Sequence, residues 1–134
     1  MLESLVKHHY DAVAAGHLVA HRCADCGTLT YPITTCCESC GSWEYEEVEL
    51  SGRGTLLFAS HNLGLACNPR FQQFAPYVFG HIVLEEGVVC DAFIKGVAGT
   101  PEAVEALYER GPVPVVFDPL DTGDLMVTAF SIAS

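Results

Sequence analysis

Cys23-Ala24-Asp25-Cys26-Gly27 and Cys37-Glu38-Ser39-Cys40-Gly41 decide how this chain is read. Two residues between paired thiols let one tight turn aim both sulfurs at a single point, and the glycine after each pair lets the backbone turn beneath it. Ten residues, 27–36, run from the first pair to the second. Four thiolates close a tetrahedral shell, so the pattern marks a structural metal site with Cys23, Cys26, Cys37 and Cys40 as ligands. Zn2+, one ion per chain, is the expected occupant, with iron as the alternative. A lone C-x-x-C would equally suit a redox dithiol; two at this spacing favour a metal. Cys36 adjoins Cys37 and competes for its place, but the matched two-residue gap favours Cys37. Of the remaining cysteines, Cys90 lies in an apolar run and reads as core, while Cys67 lies in a loop with no activating partner near it in sequence.

Before the first pair, Leu2, Leu5, Val6 and Val13 fall at helical spacing and Gly16 stops the pattern, which predicts one bent or two short helices over 1–16. Leu18 to His21 reads as a short extended piece. After the second pair, Glu44-Tyr45-Glu46-Glu47-Val48-Glu49 reads as a solvated acidic strand. Five apolar runs of strand length follow: Gly54–Ser60, Tyr77–Leu84, Val88–Ile94, Val113–Phe117 and Leu125–Ile132. Glu85-Glu86-Gly87 makes a hairpin of the second and third. One helix interrupts them, with Thr100 as cap, Pro101 and Glu102 in its first turn and Gly111 at its end. Three strands, a helix and two strands is the order of an OB-type barrel. The expected organisation is mainly β: a helical arm over 1–22, a rubredoxin-like zinc ribbon over 23–46, and a five-stranded OB-fold domain over 47–134, with its helix between strands 3 and 4.

With 134 residues the chain has room for one domain, or one small domain plus an appendage. Six Lys+Arg against seventeen Asp+Glu leave a net charge of −11, which opposes binding to phosphate backbones or anionic lipid. A mean hydropathy of +0.29 excludes disorder and is high for so small a free monomer. Burial of apolar surface against a partner accounts for it. No run is long and apolar enough to span a membrane, and the N-terminus lacks the basic-then-apolar layout of a signal peptide. A cytoplasmic location is expected, where thiols stay reduced and serve as metal ligands.

The order of these features resembles that of the DUF35-type zinc-ribbon/OB-fold proteins found with acyl-CoA enzymes. The matching elements are a helical arm, Gly16-x-Leu18, Cys23-x-x-Cys26-Gly27, Pro32, Cys37-x-x-Cys40-Gly41-Ser42, Ser51-Gly52-Arg53-Gly54-Thr55 entering an apolar strand, and Pro76-Tyr77-Val78. The likeness covers nearly the whole chain. It departs at Ile33-Thr34-Thr35-Cys36, where such proteins usually carry an arginine and an apolar position, and at Glu38, where proline is common. Neither change removes a ligand, but both weaken a cationic contact at the ribbon. The resemblance implies a non-catalytic accessory subunit of a thiolase-fold partner, in a hetero-oligomer that acts on acyl-CoA through the partner. Such a subunit would complete or stabilise the partner's substrate or CoA site for thiolytic C–C cleavage or condensation. An accessory role for an acyl-CoA hydratase or aldolase is the first alternative, and a nucleic-acid-binding zinc-ribbon/OB protein the second.

Beyond the metal ligands, the long connection 61–76 is the main candidate surface, because long loops in compact domains are often functional. Within it Arg70, Phe71 and Phe74 are candidates for a partner or substrate loop; a loop folded over its own barrel is the competing reading. Arg53 and Lys95 are weak candidates for a CoA phosphate, since scattered cations without a glycine-rich nest make a poor cradle. The competing reading pairs Arg53 with an acid such as Glu49. His8, His9, His17 and His21 read as surface or partner contacts. Neither His61 nor His81 has a sequence-adjacent carboxylate or nucleophile to form a dyad, and no catalytic residue is assigned.

Overall fold

The structure is a computed structural model and describes residues 5–61, 69–74 and 76–133. The arm is one helix, α1 (Leu5–Ala14). Val13 is its buried residue, whereas Val6, expected on the apolar side, is 64% exposed. A short turn follows, and β1 (Val19–Cys23) forms the centre of an antiparallel sheet in the order β2 (Leu29–Thr30), β1, β3 (Tyr45–Glu49). The extended piece seen in the sequence is thus the middle strand of the ribbon, and the acidic stretch is its partner, in register from Val19 opposite Glu49 to Cys23 opposite Tyr45.

The five apolar runs close a barrel. Its strands are β4 (Arg53–His61), β5 (Val78–Leu84), β6 (Val89–Lys95), β7 (Val113–Phe117) and β10 (Ala129–Ile132), in the order β10-β6-β5-β4-β7. β10 runs parallel to β6 and antiparallel to β7, which closes the ring. The helix α2 (Pro101–Arg110) lies between the third and fourth barrel strands. Thr100 Oγ1 accepts from the Ala103 N–H at 3.2 Å, and Gly111 ends the helix at φ +83°. This is the OB arrangement expected from element order.

The last run does not form one strand. Leu120–Asp121 (β8) and Met126–Val127 (β9) make a small hairpin of their own before β10 begins. Its turn is tied by Gly123 N–H donating to Asp121 Oδ1 at 2.8 Å and Thr122 N–H to Leu125 O at 3.0 Å.

One apolar core joins the three parts. Val13 of α1 and Leu18 and Ala20 of the ribbon are buried with Leu56, Ile82, Ile94, Val115 and Phe130 of the barrel. Each such aliphatic side chain stabilises by about 1.5–3 kcal/mol on full burial, so arm and ribbon are held to the barrel by hydrophobic contact as well as by the chain itself. Among the described residues no helix is long and apolar enough to cross a membrane.

Candidate metal centre

The ribbon turns are two copies of one device. Gly27 N–H donates to Cys23 O and Gly41 N–H to Cys37 O, both at 3.0 Å. Both glycines sit in the left-handed region, at φ +80° and +78°, which side chains with a Cβ rarely adopt. Each turn therefore folds its two sulfurs inward. The sulfurs of Cys23, Cys26, Cys37 and Cys40 all lie within 4.8 Å of one another. Cys23 Sγ is 3.5 Å from Cys40 Sγ, and Cys26 Sγ is 3.5 Å from Cys37 Sγ. Cys36 is exposed and lies outside the cluster.

The electrostatics call for a cation. The Cys26 N–H holds the Cys23 thiol below its ordinary value, and the Thr28 hydroxyl does the same for Cys26. Cys40 gains from the Ser42 N–H, but the neighbouring sulfurs of Cys23 and Cys26 push it up to about 12. Like charges at this spacing cannot all form side by side. A divalent ion removes the conflict by binding all four as thiolates. The donor set therefore fits a closed tetrahedral metal site.

The other candidate residues do not converge. Arg53 is bidentate to Glu85, Nε to Oε1 at 3.0 Å and Nη2 to Oε2 at 3.1 Å. Its partner is not Glu49, which is taken by His17. Lys95 Nζ lies 3.1 Å from Asp118 Oδ1 and donates to Pro119 O at 2.8 Å. Arg70 Nε donates to Asp124 Oδ1 at 3.0 Å. Each cation thus sits on its own carboxylate. Phe71 and Phe74, in the 3-10 turn Pro69–Phe74, pack on Phe93 with ring centroids 6.3 and 5.7 Å away. They cover the buried Leu120, Val127 and Ala129 together with Tyr10 of the arm. These three loop residues are therefore seated on the chain's own barrel end. Residues 62–68, including Cys67, and residue 75 lie outside the described residues, as does Leu2.

Two features escaped the sequence. His81 Nδ1 pairs with Asp91 Oδ1 because the register of β5 on β6 sets them opposite each other. They line a cleft of about 510 Å3 with His9, Tyr31 and Cys90. Burial pushes the Cys90 thiol up to about 12, which opposes formation of the thiolate. The second is a bulge in β4 between Leu56 and Phe58. It leaves Leu57 and Phe58 exposed in succession, beside a charge-free groove of about 250 Å3 that Leu107, Tyr108 and Pro112 complete. Tyr108 fixes this edge: its hydroxyl donates to Ala59 O at 2.7 Å and accepts from Ala59 N–H at 3.0 Å.

Residues 11–46 match the family described as ChsH2, rubredoxin-like zinc ribbon domain. A probable enoyl-CoA hydratase alpha subunit of Thermomonospora curvata is 33% identical over 115 residues, covering 84% of this chain and 32% of that protein. Benzoylsuccinyl-CoA thiolase subunit BbsA of Thauera aromatica is 38% identical over 87 residues, covering 64% of this chain and 57% of that one. The matched parts therefore span about a third and somewhat over half of those relatives' lengths. Among solved structures, a chain of the Ltp2-ChsH2(DUF35) aldolase superposes with a TM-score of 0.76 at 29% identity, covering 99% of this chain and 98% of that one. Residues 11–46 thus match the ChsH2-type rubredoxin-like zinc ribbon, and over nearly its whole length the chain is similar to a DUF35 chain.

Proposed function

We propose that this chain is a non-catalytic zinc-containing subunit of an acyl-CoA enzyme, joined to a thiolase-fold partner that carries the chemistry. The observation behind this reading is the end-to-end likeness to a chain of the Ltp2-ChsH2(DUF35) aldolase. Similarity to a thiolase subunit agrees with it, and similarity to a hydratase subunit keeps the hydratase or aldolase reaction as the second reading. The ion is Zn2+, one per chain, held by Cys23, Cys26, Cys37 and Cys40, and its role is mechanical. Four metal bonds organise a segment too small to build a core of its own. Arm, ribbon and barrel share one apolar core and together offer the partner one rigid surface. The charge-free groove beside Leu57 and Phe58 is the part of that surface best suited to an apolar contact. Arg53, Lys95 and Arg70, each already matched to a carboxylate, leave the CoA phosphates to the partner. Phe71 and Phe74 would shape the barrel end that faces it.

The test is an acyl-CoA thiolysis and retro-aldol assay on the purified chain, alone and after co-expression with a thiolase-fold protein from the same host. The chain alone should turn over nothing, and the co-expressed pair should be active. Turnover by the isolated chain would refute the reading.

A further inference from the structure

One face of β3 presents Tyr45, Glu47 and Glu49 at alternate positions, and each meets a histidine. His21 stacks on Tyr45 with ring centroids 3.7 Å apart and planes at 12°. His8 Nε2 donates to Glu47 Oε1, and His17 Nδ1 donates to Glu49 Oε1. His8 belongs to α1 and His17 to the turn after it, so both pairs tie the arm to the ribbon. The permanent cations nearby are engaged elsewhere. Lys7 Nζ is 2.6 Å from Asp11 within α1, and Arg22 reaches Glu46 at 3.8 Å. The carboxylates of Glu47 and Glu49 are therefore matched by groups whose charge depends on pH.

We propose that His8 and His17 form a proton-operated clasp that seats the α1 arm on the β3 edge of the ribbon. When the imidazoles are protonated, both contacts are charge-assisted hydrogen bonds, which are roughly twice as strong as neutral ones. When they are neutral, only the weaker form remains. Histidine is the side chain whose ordinary titration falls between pH 5 and 8, so the arm tightens as pH falls through that range.

The other ionisable groups around the arm set the lower limit. His21 is buried, with Nδ1 on the Thr34 carbonyl at 3.0 Å, and takes no part. On the barrel side, Asp124 is held by Arg70, and His81 and Asp91, which line a cleft with His9 and Tyr31, pair with each other. His9 works against the clasp. It packs between Tyr10 and Tyr31, at 5.1 and 5.8 Å between ring centroids, and its Nδ1 is buried without a hydrogen-bond partner. Burial lowers its pKa, so it is seated neutral and resists protonation. In still more acid solution His9 gains a charge where no acceptor waits. Arm seating should therefore pass through a maximum on the acid side of neutrality.

The test is amide hydrogen exchange of the full chain from pH 5 to 8, corrected for intrinsic exchange, with α1 amides compared to those of β7, which carries no titratable side chain. Exposed ion pairs are individually weak, so α1 protection should rise about two- to fivefold from pH 8 to the maximum while β7 stays constant. The rise should shrink at 1 M NaCl, because exposed pairs are screened. The double variant His8→Gln/His17→Gln should lose the rise and keep its β7 protection. Glu47→Gln/Glu49→Gln should do the same from the ribbon side. A pH-independent α1 in the wild-type chain would overturn the proposal, as would a rise that survives in both double variants.

Discussion

Cys26 and Cys37 stand 11 residues apart in sequence and 3.5 Å apart at their sulfurs. That contact joins the two ribbon turns. Without a cation it sets two thiols against each other, and with one it becomes an edge of a coordination shell. Cys26→Ser should therefore reduce bound zinc from one ion per chain to well below that, measured by elemental analysis of purified protein. It should abolish partner binding at the same time. Cys36→Ser should leave the metal content unchanged, which separates the adjacent thiols. Full metal loading of Cys26→Ser would show that the four-sulfur site is misassigned.

Tyr108 ties α2 to β4 through both polar atoms of the Ala59 backbone. Tyr108→Phe keeps the ring and removes both hydrogen bonds. We expect a loss of about 1–2 kcal/mol in denaturant unfolding, with the midpoint shifted and the slope unchanged.

Gly54 enters the barrel where a Cβ would lie 2.5 Å from Val83 O and 3.0 Å from Ile82 Cγ2. The obstacle at Val83 is backbone, which cannot swing aside. Gly54→Ala should cost about 1–3 kcal/mol in the same measurement, as overpacking does. Gly87→Ala meets no atom within 4 Å, but it carries a positive φ of +88°, so any loss there would report backbone conformation alone.

Asp124 is held at a pKa of about 2, chiefly by its hydrogen bonds from Arg70 and then by Thr122. A carboxyl depressed in the folded state adds stability that is present above its unfolded value, about 3.9, and lost as pH falls through the folded one. Wild type should thus melt above Asp124→Asn at pH 6, and the gap should close between about pH 4 and pH 2. A gap that persists at pH 2 would mean that the pair acts through packing rather than charge.

Much of this was legible in the sequence for identifiable reasons. The ribbon ligands follow from local spacing, because each turn is built from five consecutive residues. The helix α2 follows from Thr100, Pro101 and Gly111, whose roles are local. Barrel strands follow from apolar runs bounded by glycine and proline. Features that depend on register were not legible. His81 meets Asp91, and Arg53 meets Glu85 rather than Glu49, only once strands are paired. The bulge that turns Leu57 outward is a pairing irregularity without a local signal of its own. Phe71 and Phe74 carry the same aromatic signal whether they face a partner or their own barrel, and their packing on Phe93 is visible only once the barrel is closed. The break at Thr128, which separates β9 from β10, lies inside a run that reads as continuous.

The central claim is that this chain works as a partner's subunit. The direct measurement is affinity purification of the tagged chain from its native host, with quantitative mass spectrometry of what co-elutes, beside a Phe58→Asp variant. Phe58 is half exposed on the charge-free groove, so the variant should fold and bind zinc normally. The expected result is a thiolase-fold acyl-CoA enzyme subunit, stoichiometric with the wild-type chain and depleted at least tenfold with Phe58→Asp. A wild-type chain that elutes alone, folded and zinc-loaded, would contradict the account.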